Sequence, residues 1–267
     1  MLKFEEIKNI FAPLPFGVIP YDSIRGHLIE RHDKSRLPDG AKTVIIVLFP
    51  YYLGEDFYRN SNVARYAVPK DYHMVTREYL ERFSVKLKEI FKNDGFVFYA
   101  DGSPIPEVAA AVAAGLGIRG KNNLLINKEY GSWATIGEIV TTASFEGFES
   151  RGPHENICKN CDICQKACPT GALADGFTKE KCVSHKLQQK TPVSEADAAL
   201  LKGIGSVYGC DICQKACPVN KNVKTTPIRE YYDTARPVYR AGDYISDRAY
   251  SWRGEAVIRR NLNLMQN

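Results

Sequence analysis

Apolar and polar positions recur with readable periods through the first half of the chain. TVIIVLF (43–49) is a short, β-branched apolar run, and it predicts a buried strand. Across 75–91, apolar residues fall at 75, 79, 80, 83, 87, 90 and 91. That spacing puts them on one stripe of a helix. GFVFYA (95–100) reads as a further strand, and 104–115 as an Ala-rich helix ended by glycine. LLINKEYGSWATIGEIVTT (124–142) predicts two strands joined at Gly131. Alternating elements of this kind predict an α/β or α+β sheet domain. Residues 226–267, with Pro227, Pro237 and many arginines, read as a C-terminal extension ending in a short helix.

The pattern changes abruptly in the middle of the chain. All eight cysteines lie between 158 and 217, which predicts a boundary near 150 and a division into 1–150, 151–225 and 226–267. The only repeat is here: CDICQKACP at 161–169 recurs letter for letter at 210–218, so two equivalent sites related by pseudo-twofold symmetry are expected. The first copy, with the cysteine before it, is Cys158-x2-Cys161-x2-Cys164-x3-Cys168-Pro169. This is the run of bacterial two-cluster ferredoxins, in which three cysteines hold one [4Fe–4S] cluster and the fourth reaches the other. The second copy supplies Cys210, Cys213 and Cys217 but has Val207 where the first has Cys158, and the remaining Cys182 fits that vacancy. The expected ligand sets are Cys158, Cys161, Cys164 and Cys217 for one cluster, and Cys168, Cys182, Cys210 and Cys213 for the other. Structural zinc sites use separated CxxC pairs rather than a triple run ending in CP. A disulfide framework belongs to an oxidising compartment.

Composition refines this picture. At 267 residues and 44% hydrophobic, the chain can bury a core and carry a smaller module besides. No run reaches the ~18 apolar residues of a membrane span. The opening MLKFEEIKNIF sets two glutamates where a signal peptide would be positive and apolar, so no targeting segment and a cytoplasmic location are expected. The formal charge of +5 counts the cysteines as neutral. Eight ligating thiolates and two cluster cores would lower it to about +1. Residues 1–150 carry 18 Lys and Arg against 19 Asp and Glu, whereas 151–267 carry 18 against 12. The C-terminal part therefore stays mildly basic, which permits a phosphate-bearing partner and equally suits a solvated face.

A ferredoxin module needs only ~60–80 residues, so the electrons are expected to reach something in the N-terminal part. Gly115-x-Gly117-x-x-Gly120 matches the dinucleotide fingerprint in letters only: it follows a helix and precedes a strand, the reverse of the required order. There is no P-loop and no HExxH. Asp101 follows the strand 95–100 in a Gly-Ser-Pro turn, where a catalytic carboxylate or an Asx-turn would both fit. His73 opens the 75–91 helix, and Lys121 and Asn122 follow the glycine-rich turn, where they could meet an anion or simply water.

SNVARYAVPKDYH (61–73), DGSPIPEVAAAVAAGLGIRGKNNLLIN (101–127), GSWATIGEI (131–139), KCVSH (181–185) and YGCDICQKACPVN (208–220) together resemble the epoxyqueuosine reductases, in order over roughly residues 40–260. The resemblance implies an α+β protein. Its N-terminal α/β domain would be reductive-dehalogenase-like and hold base-off cobalamin. A bacterial ferredoxin-like double [4Fe–4S] module would follow. It implies reduction of the epoxide of epoxyqueuosine in a tRNA anticodon loop to queuosine and water, with a ferredoxin or flavodoxin as donor and no membrane partner. Asp101 matches the family's general acid, which would protonate the epoxide oxygen. Arg65, Tyr66, Asp71, Tyr72, His73, Lys121, Asn122, Ser132 and Trp133 are the implied lining of the corrin and substrate pocket. An iron–sulfur electron-transfer or corrinoid-activating protein is the alternative that the cysteines alone would allow. Full-length members continue into a helical-repeat domain whose opening RGEAVIRRNLNLMQN resembles, and the chain differs locally in having Pro106 before Glu107 and Val219 in CPVN.

Overall fold

A computed structural model describes residues 4–145 and 156–266. The first part comprises α1 (Phe4–Phe11), β1 (Phe16–Pro20), α2 (Asp22–Arg25), β2 (Thr43–Pro50), α3 (Tyr72–Ile90), β3 (Phe96–Tyr99), α4 (Glu107–Ala113), β4 (Ile118–Arg119), β5 (Leu125–Ile126) and β6 (Ala134–Thr141). Then come α5 (Ile163–Ala167), α6 (Val183–Leu187), α7 (Glu195–Ile204), α8 (Ile212–Ala216), α9 (Arg229–Asp233) and α10 (Glu255–Gln266). The expected boundary near 150 lies outside the described residues.

Four strands form one antiparallel sheet in the order β1-β2-β6-β3, so the fold is α+β and the alternation of elements does not signal parallel crossovers. β2 is apolar throughout because both of its faces are covered. Ile45, Val47 and Phe49 pack with Leu80 and Leu87 of α3 on one side. Val44, Ile46 and Leu48 pack with Ala110 and Ala111 of α4 on the other. A Cβ at Gly137 of β6 would lie 2.8 Å from Phe49 and from Thr76, so the missing side chain lets α3 sit close to the sheet.

α3 starts before its apolar stripe, at Tyr72, because the Asp71 carboxylate caps it by accepting the His73 amide at 3.0 Å. α4 is shorter than the Ala-rich run. Pro104 and Pro106 remove donors and hold the preceding chain extended, and helix begins only at Glu107. The hairpin expected at Gly131 does not form. β5 pairs with β4, β6 runs between β2 and β3, and a single Asn127–Gly131 bridge remains between the two segments. The long apolar β6 gains more by pairing across eight residues of β2 than a two-residue β5 could offer.

The C-terminal extension returns to this core. Ile228, Tyr231, Tyr239, Tyr250, Ile258 and Leu262 are buried in the same cluster as Phe11, Phe49 and Leu80. From α10, Asn261 donates to the carbonyls of Leu187 and Val207, and Arg260 to those of Gln189 and Thr191. The two copies of ICQKA become α5 and α8, which pack against each other. Among the described residues no helix is long and apolar enough to cross a membrane.

Candidate active site and iron–sulfur centres

Each ICQKA helix opens one residue before a cysteine and ends at a Cys-Pro, and the thiols of the two loops fall into two mixed groups. Burial pushes the Cys164 thiol up, and the neighbours that add to this are Cys158, Cys217 and Cys161. Burial likewise raises Cys217, with Cys158 and Cys161 beside it. In the other group burial pushes Cys213 up to about 12, reinforced by Cys210 and Cys182. Cys210 rises to about 11 through burial, Asp211, Cys182 and Cys168. Cys168 differs: burial opposes ionisation, but the Thr170 hydroxyl and the amides of Thr170, Ala172 and Gly171 outweigh it and lower the thiol. Crowded, buried thiols of this kind need a cationic core to ionise. Among the described residues no three His, Cys, Asp or Glu side chains close around a single ion. A four-iron cube holds its thiolates at separate corners and supplies such a core.

Cys168, Cys182, Cys210 and Cys213 share one wall of a cavity of about 390 Å³. The opposite wall comes from the sheet domain, with Tyr66, Tyr72, Asn122, Leu124, Ser132 and Thr135. Asn122 Nδ2 and Thr135 Oγ1 are buried there without a hydrogen-bond partner.

The walls are clamped together by the second cysteine loop. Gln214 Nε2 donates to the Ser132 carbonyl at 2.8 Å and to the Tyr51 hydroxyl at 3.1 Å. Asn220 Nδ2 donates to Ser132 Oγ at 2.8 Å and to the Gln214 carbonyl at 2.7 Å, while its Oδ1 accepts the Ser132 amide at 2.8 Å. Gly131 is required beside it: φ is +58°, and a Cβ would meet Asn220 Oδ1 at 2.0 Å.

Asp101 leaves the end of β3 with φ +85°, followed by Gly102 at +69°. This uncommon backbone turns its carboxylate toward α3. Its Oδ2 lies 3.1 Å from His73 Nε2, while Nδ1 of the same ring lies 2.7 Å from Asp71 Oδ1. The imidazole stacks on Tyr72 at 3.9 Å. Burial alone would lower the histidine, but its bonds to Asp101 and Asp71 prevail and raise it to about 9. The same bond from His73 holds the Asp101 carboxyl below its ordinary value. At neutral pH the pair therefore stores one proton, on the imidazole.

The nine residues expected to line a pocket divide into groups. Tyr66, Tyr72, Asn122 and Ser132 line the cavity. Asp71 and His73 stand behind Asp101. Lys121 reaches across to the Lys159 carbonyl at 3.4 Å. Arg65 and Trp133 lie behind the wall: Trp133 is fully buried, and the Arg65 guanidinium rests 4.7 Å above its ring and 4.8 Å from that of Tyr58. Arg65 also pairs with Glu55 at 2.7 Å and gives its amide to Asp211 at 2.7 Å. Gln214, Asn220, Glu107 and Glu138 were not singled out by the sequence. Gln214 and Asn220 sit in the cysteine loop among ligands, and Glu138 is a lone charge inside the apolar strand TIGEIVT, which is a readable signal.

A family model described as a 4Fe–4S double cluster binding domain matches residues 157–220. Another, described as epoxyqueuosine reductase QueG, DUF1730, matches residues 31–102. The structure also resembles a reductive dehalogenase described in terms of B12-dependent dehalogenation (TM-score 0.53, 14% identity, 97% of this chain and 36% of that one), a likeness of fold. Fold and thiol arrangement thus define a double-cluster iron–sulfur protein with a reductive-dehalogenase-like sheet domain.

Within that class the chain is similar to the epoxyqueuosine reductases. It is 37% identical to the enzyme of Gloeobacter violaceus over 171 residues, which cover 62% of this chain and 53% of the relative. With that of Lactococcus garvieae it shares 33% over 221 residues, 77% and 61% of the two chains. A crystal structure of selenomethionine-labelled epoxyqueuosine reductase superposes with TM-score 0.79 at 25% identity, over 98% of this chain and 79% of the other. An epoxyqueuosine reductase solved with an epoxyqueuosine-modified tRNA-Tyr stem loop gives the same score at 24%, covering 98% and 79%. The chain spans between half and two thirds of the curated relatives it matches.

Proposed function

We propose that this chain is a cobalamin-dependent iron–sulfur oxidoreductase of the cytoplasm that reduces epoxyqueuosine to queuosine in tRNA. One observation carries the reading. A single cavity is bounded by the Cys168, Cys182, Cys210 and Cys213 quartet and adjoins the Asp101–His73 pair through Tyr72 and Asn123. The electron site and the proton site would then lie in adjoining cavities that have Asn123 in common. The named relatives and the stem loop bound by one of them support the choice of substrate.

The cavity suits a corrin: its walls are mostly apolar, and the unpartnered Asn122 Nδ2 and Thr135 Oγ1 offer polar contacts to a macrocycle fringed with amides. Bound there, cobalamin would supply a cobalt that takes up electrons one at a time. Tyr66, Tyr72, Asn122 and Ser132 would hold it, with Arg65 and Trp133 bracing the wall. Cys158, Cys161, Cys164 and Cys217 would hold one cluster, and the quartet at the cavity the other. A ferredoxin or flavodoxin would supply the electrons.

The chain's own part in the reaction is proton handling. Opening an epoxide leaves an alkoxide, which must be protonated to depart. His73 Nε2 holds a proton toward Asp101 Oδ2, and Asp101 presents it to the oxygen. Asp71, bonded to the far nitrogen, keeps the ring aligned.

Anaerobic reconstitution with iron and sulfide, followed by incubation with cobalamin and gel filtration, tests the reading. About eight irons and about one corrin should be retained per chain. Intact clusters with no retained corrin would overturn it in favour of a protein that only relays electrons.

A further inference from the structure

Two carboxyls beside the Asp101 cleft have no part in the reading above. Glu138 stands on the face of β6 that packs under α4, between Ile136 and Val140. It is fully buried, and neither carboxyl oxygen has a hydrogen-bond partner. Among the described residues Ser103 is the one neighbouring donor: its oxygen accepts the Ile105 amide at 2.9 Å, which leaves its own hydroxyl hydrogen to turn toward Glu138. An ionised carboxylate in such a place would have no cation beside it and at most one neutral hydroxyl, too little to offset full burial, so Glu138 carries its proton. Burial, and after it the neighbouring Glu107, act in the same direction.

Glu107 is the first residue of α4 and lines, with Asp101 and Ser103, a cleft of about 490 Å³. It faces Asp101 from the loop, His73 from α3 and Glu138 from β6, and Arg31, His32 and Arg119 form the rest of the charged rim. Burial, followed by the charge of Asp101, raises it to about 8, with His73 opposing. A fully buried acid thus lies beside a second acid that shares a cleft with the reactive carboxylate.

Stoichiometry gives this arrangement a use, if the reading above holds. Turning an epoxide into an alkene breaks both C–O bonds, forms the C=C bond and releases the oxygen as water. It consumes two electrons, from a low-potential one-electron donor, and two protons. The His73–Asp101 pair stores one. We propose that Glu107 delivers the second proton to the departing oxygen and that Glu138, beside it, holds the proton that replaces it. Glu138 is fully buried, so on this proposal its proton is exchanged by way of the cleft that Glu107 and Ser103 line.

Infrared titration of the cluster-loaded protein without substrate reads the stored protons directly. At pH 7 the protonated-carboxyl band should lose one component in Glu138→Gln and another in Glu107→Gln. Single-turnover reduction of an epoxyqueuosine stem loop, with clusters and corrin monitored spectroscopically, reads their use. The wild-type rate should fall as pH rises through about 8. Glu107→Gln should be slower by about 100-fold or more and should lose that limb of the profile, while Glu107→Asp restores part of both. A Glu107→Gln enzyme with wild-type rate and profile, or an infrared band unchanged in Glu138→Gln, would overturn the proposal. A wild type that is inert with both cofactors bound would overturn the underlying reading, and the use of the protons with it.

Discussion

His73 is held between two carboxylates and raised to about 9, and that has a consequence for stability. Its folded value exceeds its ordinary 6.5, so its contribution is complete below pH 6.5 and is lost as pH rises through about 9. Asp101 is lowered, so its contribution is present above its ordinary 3.8 and fades on acidification. His73→Gln should therefore cost about 1 kcal/mol near pH 6, a figure discounted for the partial exposure of the pair, and much less near pH 10. Chemical denaturation of both proteins at the two pH values checks this. At Gly131, alanine would have to adopt a left-handed backbone and displace Asn220. Gly131→Ala should lose about 2–4 kcal/mol and loosen the clamp on Ser132, measured as a lower denaturation midpoint.

Elements were legible where one physical demand dominated. A strand covered on both faces must be apolar, and β2 reads so; a helix packed on a sheet must carry a stripe, and α3 does. The cysteine run was legible because cluster ligands tolerate little change in spacing. Other features depended on partners distant in sequence. The hairpin at Gly131 gave way to β2 pairing, which no local pattern announces. Arg65 and Trp133 were implied as pocket lining by the family resemblance, and here they stack on each other behind the cavity wall. The Gln214–Ser132–Asn220 clamp joins positions more than 80 residues apart. At this scale Cys182→Ser should weaken the cavity-side site alone. Iron should fall from about eight to about four per chain, with the signal of one cluster retained, as read by iron analysis and electron paramagnetic resonance.

At the scale of the whole molecule, the sheet and the C-terminal extension share one core, and Asn261 of α10 ties the end of α6, at the Leu187 carbonyl, to the approach to the second cysteine loop, at the Val207 carbonyl. Cluster loops and reaction cavity are thus braced by both ends of the chain. If tRNA is the substrate, as proposed, the basic excess of residues 151–267 would be the part of the chain that meets its phosphates. The affinity for a stem loop should drop as salt rises from about 50 to about 200 mM, with a modest slope that reflects few phosphate contacts. The most direct test of the account is anaerobic turnover of an epoxyqueuosine-containing tRNA stem loop by the reconstituted, cobalamin-loaded protein with a low-potential reductant. Queuosine should form with the wild type and fall by at least about 100-fold in Asp101→Ala while the cluster and corrin spectra are unchanged. Equal inertness of the two proteins with both cofactors bound would contradict it.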